Sequence, residues 1–254
     1  MTRTVWKLES HLARLKIDRL SAKLDLRRPD VGLFGLSSDH GRSLDASLLA
    51  LQVPAFSEGH ELPPAECYAR QTDLFASYSA SATWPVHVNA LWRVPSAMPS
   101  KSPALAVELV VSVRTDQLAS RPELTVQSRL AADEVVRLSD ADSATFEALQ
   151  LVKGEPIDLR PDGGTGCLLF RLEGGDLTYA EMIHPADFRS DRLDRDPKDD
   201  RFVRIGHTLF CEPLEKGVIR RSGISGVFLP RTADKVLAAA HFSLMAASEP
   251  FIAT

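Results

Sequence analysis

Polar side chains recur at every second position of two neighbouring segments, 86–94 and 105–114, and could together bind a ligand. They supply an imidazole, an amide, guanidinium groups and a carboxylate, which suit a hydroxyl-rich or anionic ligand. An aromatic ring just before the first segment could stack on a sugar ring, because its face is apolar and its edge tolerates water. The predicted ligand-binding residues are His87, Asn89, Arg93, Glu108, Arg114 and Trp84.

A solvated outer face is the alternative interpretation of these segments. In an antiparallel pair Arg93 could lie opposite Glu108, and an exposed ion pair of that kind contributes at most about 1 kcal/mol. Leu91 and Val110 on the same face argue for partial cover or a shallow groove. Trp84 is a more plausible exposed ring than Trp92, which lies on the apolar side, and simple packing of Trp84 in the core is the favoured alternative.

Four other groups of residues could do chemistry, and each has a structural alternative. Glu212 and Glu215 flank a turn near Arg220 and Arg221, and paired carboxylates can act as acid and base on sugars; only one of the two arginines can join them. Strand geometry sends Glu181 and His184 to opposite faces. His207 is predicted to be a core histidine bonded to the backbone. The mixed charges of 187–201 predict a solvated loop, with a lid as the alternative.

Composition excludes several functions. The net charge of -4 and the pI near 6.0 argue against nucleic acid as a partner. The charged first residues do not resemble a secretory signal, and no stretch is apolar enough for a membrane span. Three widely spaced cysteines fit neither a disulfide framework nor a metal site. We therefore expect a cytoplasmic protein with no cofactor, no metal, no membrane partner and reduced thiols; a homo-oligomer stays open.

Apolar residues alternate with other residues in several segments, and this period-two pattern predicts strands. We expect strands in the first 26 residues, around 124–130, and in a hairpin over 167–183 with Gly174 and Gly175 at its turn. A second hairpin is predicted to pair 202–211 with 218–229. One helix is predicted after Thr232, which would cap it, and Pro250 ends it. Its predicted apolar face consists of Val236, Ala240 and Leu244, extended by Leu237 and Met245.

Many short strands with frequent turn signals predict an all-β, mainly antiparallel fold. We expect residues 1–254 to form one large two-sheet β-sandwich with a short C-terminal helix, and a barrel-like closure stays open. The size and strand density are similar to those of the large supersandwich in aldose-epimerase-like domains, although no sequence motif accompanies the likeness.

Three functions remain open on this evidence. The first is a non-catalytic module that binds a carbohydrate or another small polar ligand. The second is a sugar-processing enzyme of the hydrolase, lyase or epimerase type on a concave sheet, which predicts that Glu108, Glu212, Glu215, His87 and His207 share a cleft. The third is a structural or self-associating protein, which predicts a broad apolar patch.

Overall fold

The computed structural model describes residues 4–17, 20–38, 43–54, 61–95 and 105–250, and these form antiparallel strands with one helix. The helix is α1 (Asp234–Ala246). In chain order, the strands are β1 (Trp6–Glu9), β2 (Leu12–Ile17), β3 (Leu20–Asp25), β4 (Phe34–Ser38), β5 (Ser43–Leu44), β6 (Ala46–Gln52), β7 (Glu66–Arg70), β8 (Asp73–Tyr78), β9 (Val86–Arg93), β10 (Leu105–Thr115), β11 (Ala119–Ser120), β12 (Thr125–Asp140), β13 (Thr145–Ala148), β14 (Ile157–Leu159), β15 (Cys167–Leu172), β16 (Leu177–Ile183), β17 (Ser190–Arg195), β18 (Phe202–Thr208), β19 (Leu214–Glu215) and β20 (Ile219–Pro230).

One long strand, β12, joins the two halves of the main sheet. Its first half pairs with β18 and β6, and its second half pairs with β15 and β13. The register of the β12–β15 pairing shifts between Ala132 and Glu134, where the strand passes from one half to the other. The main sheet runs β14-β17-β18-β12-β15-β16-β20-β10-β9-β8-β7. We call β6, β14, β17 and β18 with the first part of β12 the smaller half. The larger half consists of the second part of β12 with β7 to β10, β13, β15, β16 and β20. Strands β1 to β5 form a separate sheet in chain order, and β11 pairs with β19.

The predicted fold class is confirmed, and the segments that predicted it are strands. Trp92 of β9 and Leu109 of β10 are fully buried, whereas the side chains between the buried positions face outward. The hairpin over 167–183 is also confirmed, and Gly174 at its turn has a φ of 58°. Strands β2 and β3 confirm the prediction for the first segment; the turn predicted at Asp18 lies outside the described residues.

The inner sides of the sheets share one apolar core. Leu15 and Leu24 from the N-terminal sheet, Leu109 and Trp92 from the larger half, and Ile205 from the smaller half all belong to it. The inner side of the larger half is therefore filled with packed apolar side chains. It is not an open concave surface on which a sugar could lie.

A smaller apolar core lies outside the larger half, under helix α1. The helix buries Ala238, Ala239 and Phe242 there. The predicted buried face is wrong at Val236 and Leu244, which are 72% and 60% exposed, whereas Leu237 and Met245 at its edge do pack against this core.

The start of the helix explains its orientation. The carboxylate of Asp234, its first residue, accepts hydrogen bonds from Arg171 (2.9 Å) and Thr178 (2.8 Å) on the sheet. These bonds fix the rotation of the helix about its axis. Thr232 makes no capping hydrogen bond, so the predicted cap is also wrong; a 3-10 turn, Arg231–Ala233, precedes the helix instead.

Two predictions for the C-terminal third are wrong. Strands β18 and β20 do not pair: β18 lies between β17 and β12, and β20 lies between β10 and β16. The segment predicted as a solvated loop or lid contains β17, whose Asp191 and Leu193 face inward. Its outward residue Asp194 pairs with Arg204 on β18, so the mixed charges belong to a sheet surface.

Gly226 lets Tyr179 lie flat across strand β20. A Cβ atom at position 226 would overlap the Tyr179 hydroxyl and approach two ring carbons to 3.0 Å. We expect Gly226→Ala to lower the free energy of unfolding by about 1–3 kcal/mol, as overpacking a core does. Urea denaturation measures this. The matched control is Gly206→Ala, where the nearest atom would lie at 3.7 Å; equal effects of the two variants would contradict the packing role of Gly226.

Candidate functional sites

A buried imidazole connects two carboxylates in the interior. His207 on β18 contacts Asp191 of β17 through Nδ1 (2.7 Å) and Glu181 of β16 through Nε2 (2.6 Å). The hydroxyls of Tyr179 (2.9 Å) and Ser128 both donate to the other Glu181 oxygen. The backbone N–H of Leu49 donates to the Ser128 hydroxyl in turn (2.8 Å).

This arrangement fixes the charges of the network. Carboxylate oxygens accept hydrogen bonds, so both ring nitrogens of His207 act as donors and the ring is an imidazolium. Burial alone would lower the pKa of His207, but Asp191 and Glu181 outweigh it and raise this pKa to about 10. Burial beside Glu181 raises the pKa of Tyr179 well above its usual value, so its phenol stays a donor.

The network is sealed from solvent. The side chains of His207 and Glu181 have no exposed surface, and that of Asp191 is 1% exposed. The prediction of a core histidine is confirmed, but its partners are carboxylates and not the backbone. Sequence reasoning missed the network because Asp191 was assigned to a loop; the inward alternation of Asp191 with Leu193 was the available signal.

A second group of ionisable side chains lies at the rim of the sandwich, around the start of β17 and of β20; we call it the rim cluster. Arg189 (3.0 Å) and Arg220 (3.2 Å) each bind one oxygen of Glu212. Asp187 and His184 are 2% and 7% exposed and lie beside Arg189. As predicted, only one of the two neighbouring arginines joins Glu212, since Arg221 instead donates to Ser112.

The two carboxylates of the rim cluster have opposite pKa shifts. Burial raises the pKa of Asp187 to about 6, against the opposing effects of His184, Arg189 and the backbone N–H of Gly223. Burial also acts to raise the pKa of Glu212, but its own backbone N–H and the two arginines together lower it. Two carboxylates with diverging pKa values are the pattern of an acid and a base.

Buried polar atoms of the rim cluster lack partners within the described chain. Neither Asp187 oxygen has a partner of hydrogen-bonding geometry, although the N–H of Gly223 is near enough to influence its charge. The backbone N–H of Ala186 lies 3.1 Å from Nδ1 of His184, and Nε2 of the same ring has no partner among the described residues. Water or a ligand group could satisfy these atoms.

An apolar row crosses the outer side of strands β7 to β10, and we call it the outer strip. It consists of Tyr68, Phe75, Leu91 and Val110, each directly opposite the next. The rings of Tyr68 and Phe75 stack with centroids 4.9 Å apart, and Tyr68 is 46% exposed.

Rows of polar residues flank the outer strip on both sides. Asn89 lies opposite Ser112 on one side, and Arg93 lies opposite Glu108 on the other. Arg93 binds both oxygens of Asp73 (3.0 and 3.1 Å), and burial raises the pKa of Glu108 although Arg93 lowers it. The flanking residues are Glu66, Ser77, Asn89 and Ser112, and Arg70, Asp73, Arg93 and Glu108.

The remaining predicted site residues do not lie together: His87 and Arg114 are on the outer side of the sheet, and Trp84 is buried. His87 and Arg114 lie opposite each other, and both bind Asp116 (3.0 and 3.3 Å) beyond the flanking row. Trp84 is only 8% exposed, and its indole N–H donates to the carbonyl of Pro122 (3.2 Å). Trp84 is therefore packed, as the alternative interpretation had it, and it is not available as a ligand-binding ring; the exposed ring beside this surface is Tyr68.

The five residues expected to share an enzymatic cleft do not come together. Glu108 and His87 lie on the outer side of the larger half, and His207 lies in the interior. Glu212 belongs to the rim cluster, and Glu215 is exposed on β19.

The described residues contain no cluster of three metal-binding side chains available to an ion. In the interior network both ring nitrogens of His207 already donate to carboxylates, so no lone pair remains for a metal. Cys67, Cys167 and Cys211 are free thiols. Within the described part of the chain, no helix is long and apolar enough to cross a membrane.

The charge of His207 gives a testable pH dependence of stability. Its pKa is about 10 in the folded protein against 6.5 ordinarily, so its contribution is complete below pH 6.5 and is lost as pH rises through 10. We expect the free energy of unfolding to fall between pH 7 and 9 by up to about 1.4 kcal/mol per pH unit. Urea titrations across this range measure it.

A variant isolates the residue responsible. Asp191→Asn keeps the size of the side chain but removes one of the charges that hold the proton on His207, so its slope should be shallower than that of the wild type. Stability that stays flat from pH 7 to 9 in the wild-type protein would show that His207 is neutral.

Comparison with known proteins identifies the fold. No protein-family model matches the sequence, and no curated protein matches it. Among solved structures, the chain is similar to an aldose 1-epimerase candidate from Klebsiella pneumoniae subsp. pneumoniae (TM-score 0.59, 9% identity, 96% of this chain and 87% of that one). It is also similar to a mutarotase candidate, YeaD, from Salmonella typhimurium (0.56, 12%, 91% and 97%). A galactose mutarotase related enzyme from Lactobacillus acidophilus is similar as well (0.51, 11%, 85% and 96%). The chain thus has the β-sandwich fold of aldose-epimerase-like proteins.

Proposed function

We propose that the protein binds a carbohydrate without transforming it, and that the outer strip with its flanking polar rows is the binding surface. The observation that carries the proposal is the stacked pair of Tyr68 and Phe75, in which Tyr68 is 46% exposed and Phe75 is partly exposed beside Leu91. Pyranose rings have apolar C–H faces and hydroxyl edges. An apolar row between two polar rows offers a complementary surface to both features.

The dimensions of the outer strip favour an oligosaccharide over a single sugar. Val110 at the end of the strip is only 6% exposed, so the accessible part runs two strand-to-strand steps from Tyr68 to Leu91, about 10 Å at the usual strand spacing. Asn89 and Ser112 on one side and Arg93 on the other supply donors and acceptors along that length. Because Asp73 holds the guanidinium of Arg93 in place, part of this surface is preorganised, which lowers the entropic cost of binding.

The solved structures with this fold add support for the class of ligand. Their names refer to aldose epimerisation and mutarotation, which are reactions of sugars. At 9% to 12% identity the likeness shows a shared fold. The side chains of this chain alone therefore indicate which surface binds the ligand.

Tyr68→Ala is the direct test of the proposed surface. We expect the variant to bind soluble oligosaccharides roughly tenfold more weakly than the wild-type protein, since exposed aromatic residues dominate such contacts. Isothermal titration calorimetry against a panel of oligosaccharides of different sugars measures this. Asn89→Ala should weaken binding as well.

The control for this test is Val236→Ala, which removes an exposed apolar side chain from helix α1, far from the outer strip in sequence. It should bind like the wild type. If no oligosaccharide binds the wild-type protein, or if Tyr68→Ala binds as tightly as Val236→Ala does, the outer strip is not a carbohydrate site.

A second candidate function, an enzyme that processes sugars, is favoured by the rim cluster. There the protonated form of Asp187 could donate a proton near pH 6, and ionised Glu212 could accept one. Opening a pyranose ring needs such a pair: a base removes the proton of the anomeric hydroxyl while an acid protonates the ring oxygen. Arg189 lies beside both carboxylates. Its bond to Glu212 favours the ionised form of that carboxylate, whereas burial favours the protonated form of Asp187.

Mutarotation separates the two candidate functions. If the rim cluster is catalytic, the wild-type protein should accelerate the equilibration of α-glucose or α-galactose in polarimetry, and Asp187→Asn and Glu212→Gln should each reduce the rate by about 100-fold or more. Glu215→Gln, at an exposed carboxylate outside the rim cluster, should retain the wild-type rate. A wild-type protein no faster than buffer would remove epimerisation as a function and leave binding.

A further inference from the structure

A cleft on the outer side of the smaller half of the sheet carries an excess of positive charge. Its volume is about 360 Å³, and we call it the cationic cleft. It lies between the 3-10 turn Pro29–Val31 and the turn after β17, with strands β6, β12 and β18 beneath it. Its charged side chains are Arg28, Arg129, Lys198, Arg204, Asp30 and Asp196. Arg204 is bonded to both oxygens of Asp194 beside the cleft (2.9 and 2.6 Å), so the excess is one cation, contributed by Lys198.

Both carboxylates of the cationic cleft are already engaged. Asp30 receives two bonds from Arg28, each of 3.0 Å. One oxygen of Asp196 accepts a hydrogen bond from Nε of Arg129 (2.5 Å), and its other oxygen accepts one from the backbone N–H of Lys198 (2.9 Å). These donors lower the pKa of Asp196, so it stays ionised. Neither carboxylate is left to neutralise an additional cation.

Hydrogen-bond donors remain in the cationic cleft after these pairs are made. Arg129 uses only its Nε toward Asp196, which leaves both terminal nitrogens of the guanidinium. The guanidinium also lies flat on the ring of Phe202, 3.4 Å from its centroid, so its orientation is fixed. Lys198 contributes an ammonium group, and Gln127 an exposed amide.

We propose that the cationic cleft binds a compact oxyanion, a phosphate or carboxylate group carried by a small molecule. A planar guanidinium held over an aromatic ring and an ammonium group that line the same cleft are the donors that such a group prefers. The overall charge of the protein is -4, so the excess of cations in this cleft is a local feature. The site is separate from the outer strip and from the rim cluster, and its test does not depend on either.

A second cleft of the same size shows what a charge-balanced surface looks like in this protein. It also measures about 360 Å³, and its charged side chains are Lys153, Arg195, Arg201, Asp133, Glu173 and Asp200, three of each sign. It therefore offers no net attraction for an anion. Lys153 in this cleft provides a matched control for Lys198.

Isothermal titration with inorganic phosphate, and separately with citrate, tests the proposal at constant ionic strength. We expect the wild-type protein to bind at least one of the two, and Lys198→Glu to weaken that binding by about tenfold or more. Arg129→Lys keeps the charge that pairs with Asp196 but loses the forked donors, so it should also bind more weakly. Binding of phosphate alone would identify a phosphoryl group as the ligand, and binding of citrate alone a carboxylate.

Lys153→Glu should retain the wild-type affinity. Thermal unfolding of each variant without ligand checks that the fold is intact. The proposal is overturned if neither anion binds, or if Lys153→Glu and Lys198→Glu lose affinity equally, because the attraction would then come from the overall charge of the protein.

Discussion

The fold depends on an imidazolium placed between two carboxylates in an apolar interior. Asp191 and His207 belong to the smaller half of the main sheet, Glu181 belongs to the larger half, and Ser128 lies on the strand that joins them. Charges this deeply buried are tolerated only when each has its partners, and removing one partner typically costs about 3–5 kcal/mol. The network therefore restricts how the two halves can be arranged, since any other arrangement would leave at least one buried charge without a partner.

The interior network also bears on where function can reside. Its residue types are those of an acid–base centre, but no substrate can reach them because the surrounding core is closed. The surfaces that can meet a ligand lie outside the core: the outer strip, the rim cluster and the cationic cleft. They differ in chemistry, being respectively aromatic, acid–base and cationic, and this difference is what allows separate experiments to address them.

The sequence was informative where the chain alternates strictly and least informative where tertiary partners decide the outcome. Strands β9 and β10, and the hairpin with Gly174, follow from local alternation and turn geometry. The pairing of β18 with β12 does not, because strands adjacent in sequence need not be neighbours in a sheet. Strand β17 was hidden because its inward aspartate is acceptable only beside His207, which is distant in sequence.

The same reasoning explains the errors at the candidate sites. Trp84 precedes a proline, which suggests an exposed turn, but its indole N–H donates to the carbonyl of Pro122 and the ring is buried. The face of α1 was misassigned because Asp234 is held by Arg171, and no helical periodicity contains that information. The outward positions of Asn89, Arg93 and Glu108 were predictable, whereas the aromatic partner beside them required the pairing of β7 with β8.

Strand β12 has a mechanical consequence for the whole molecule. Its residues are hydrogen-bonded first into one half of the main sheet and then into the other, so neither half can separate without breaking the backbone ladder of the same strand. Unfolding that begins in either half is transmitted along this shared strand to the opposite half. We therefore expect the two halves to unfold as one cooperative unit, with the paired amide protons of β12 on both sides of the register shift exchanging together.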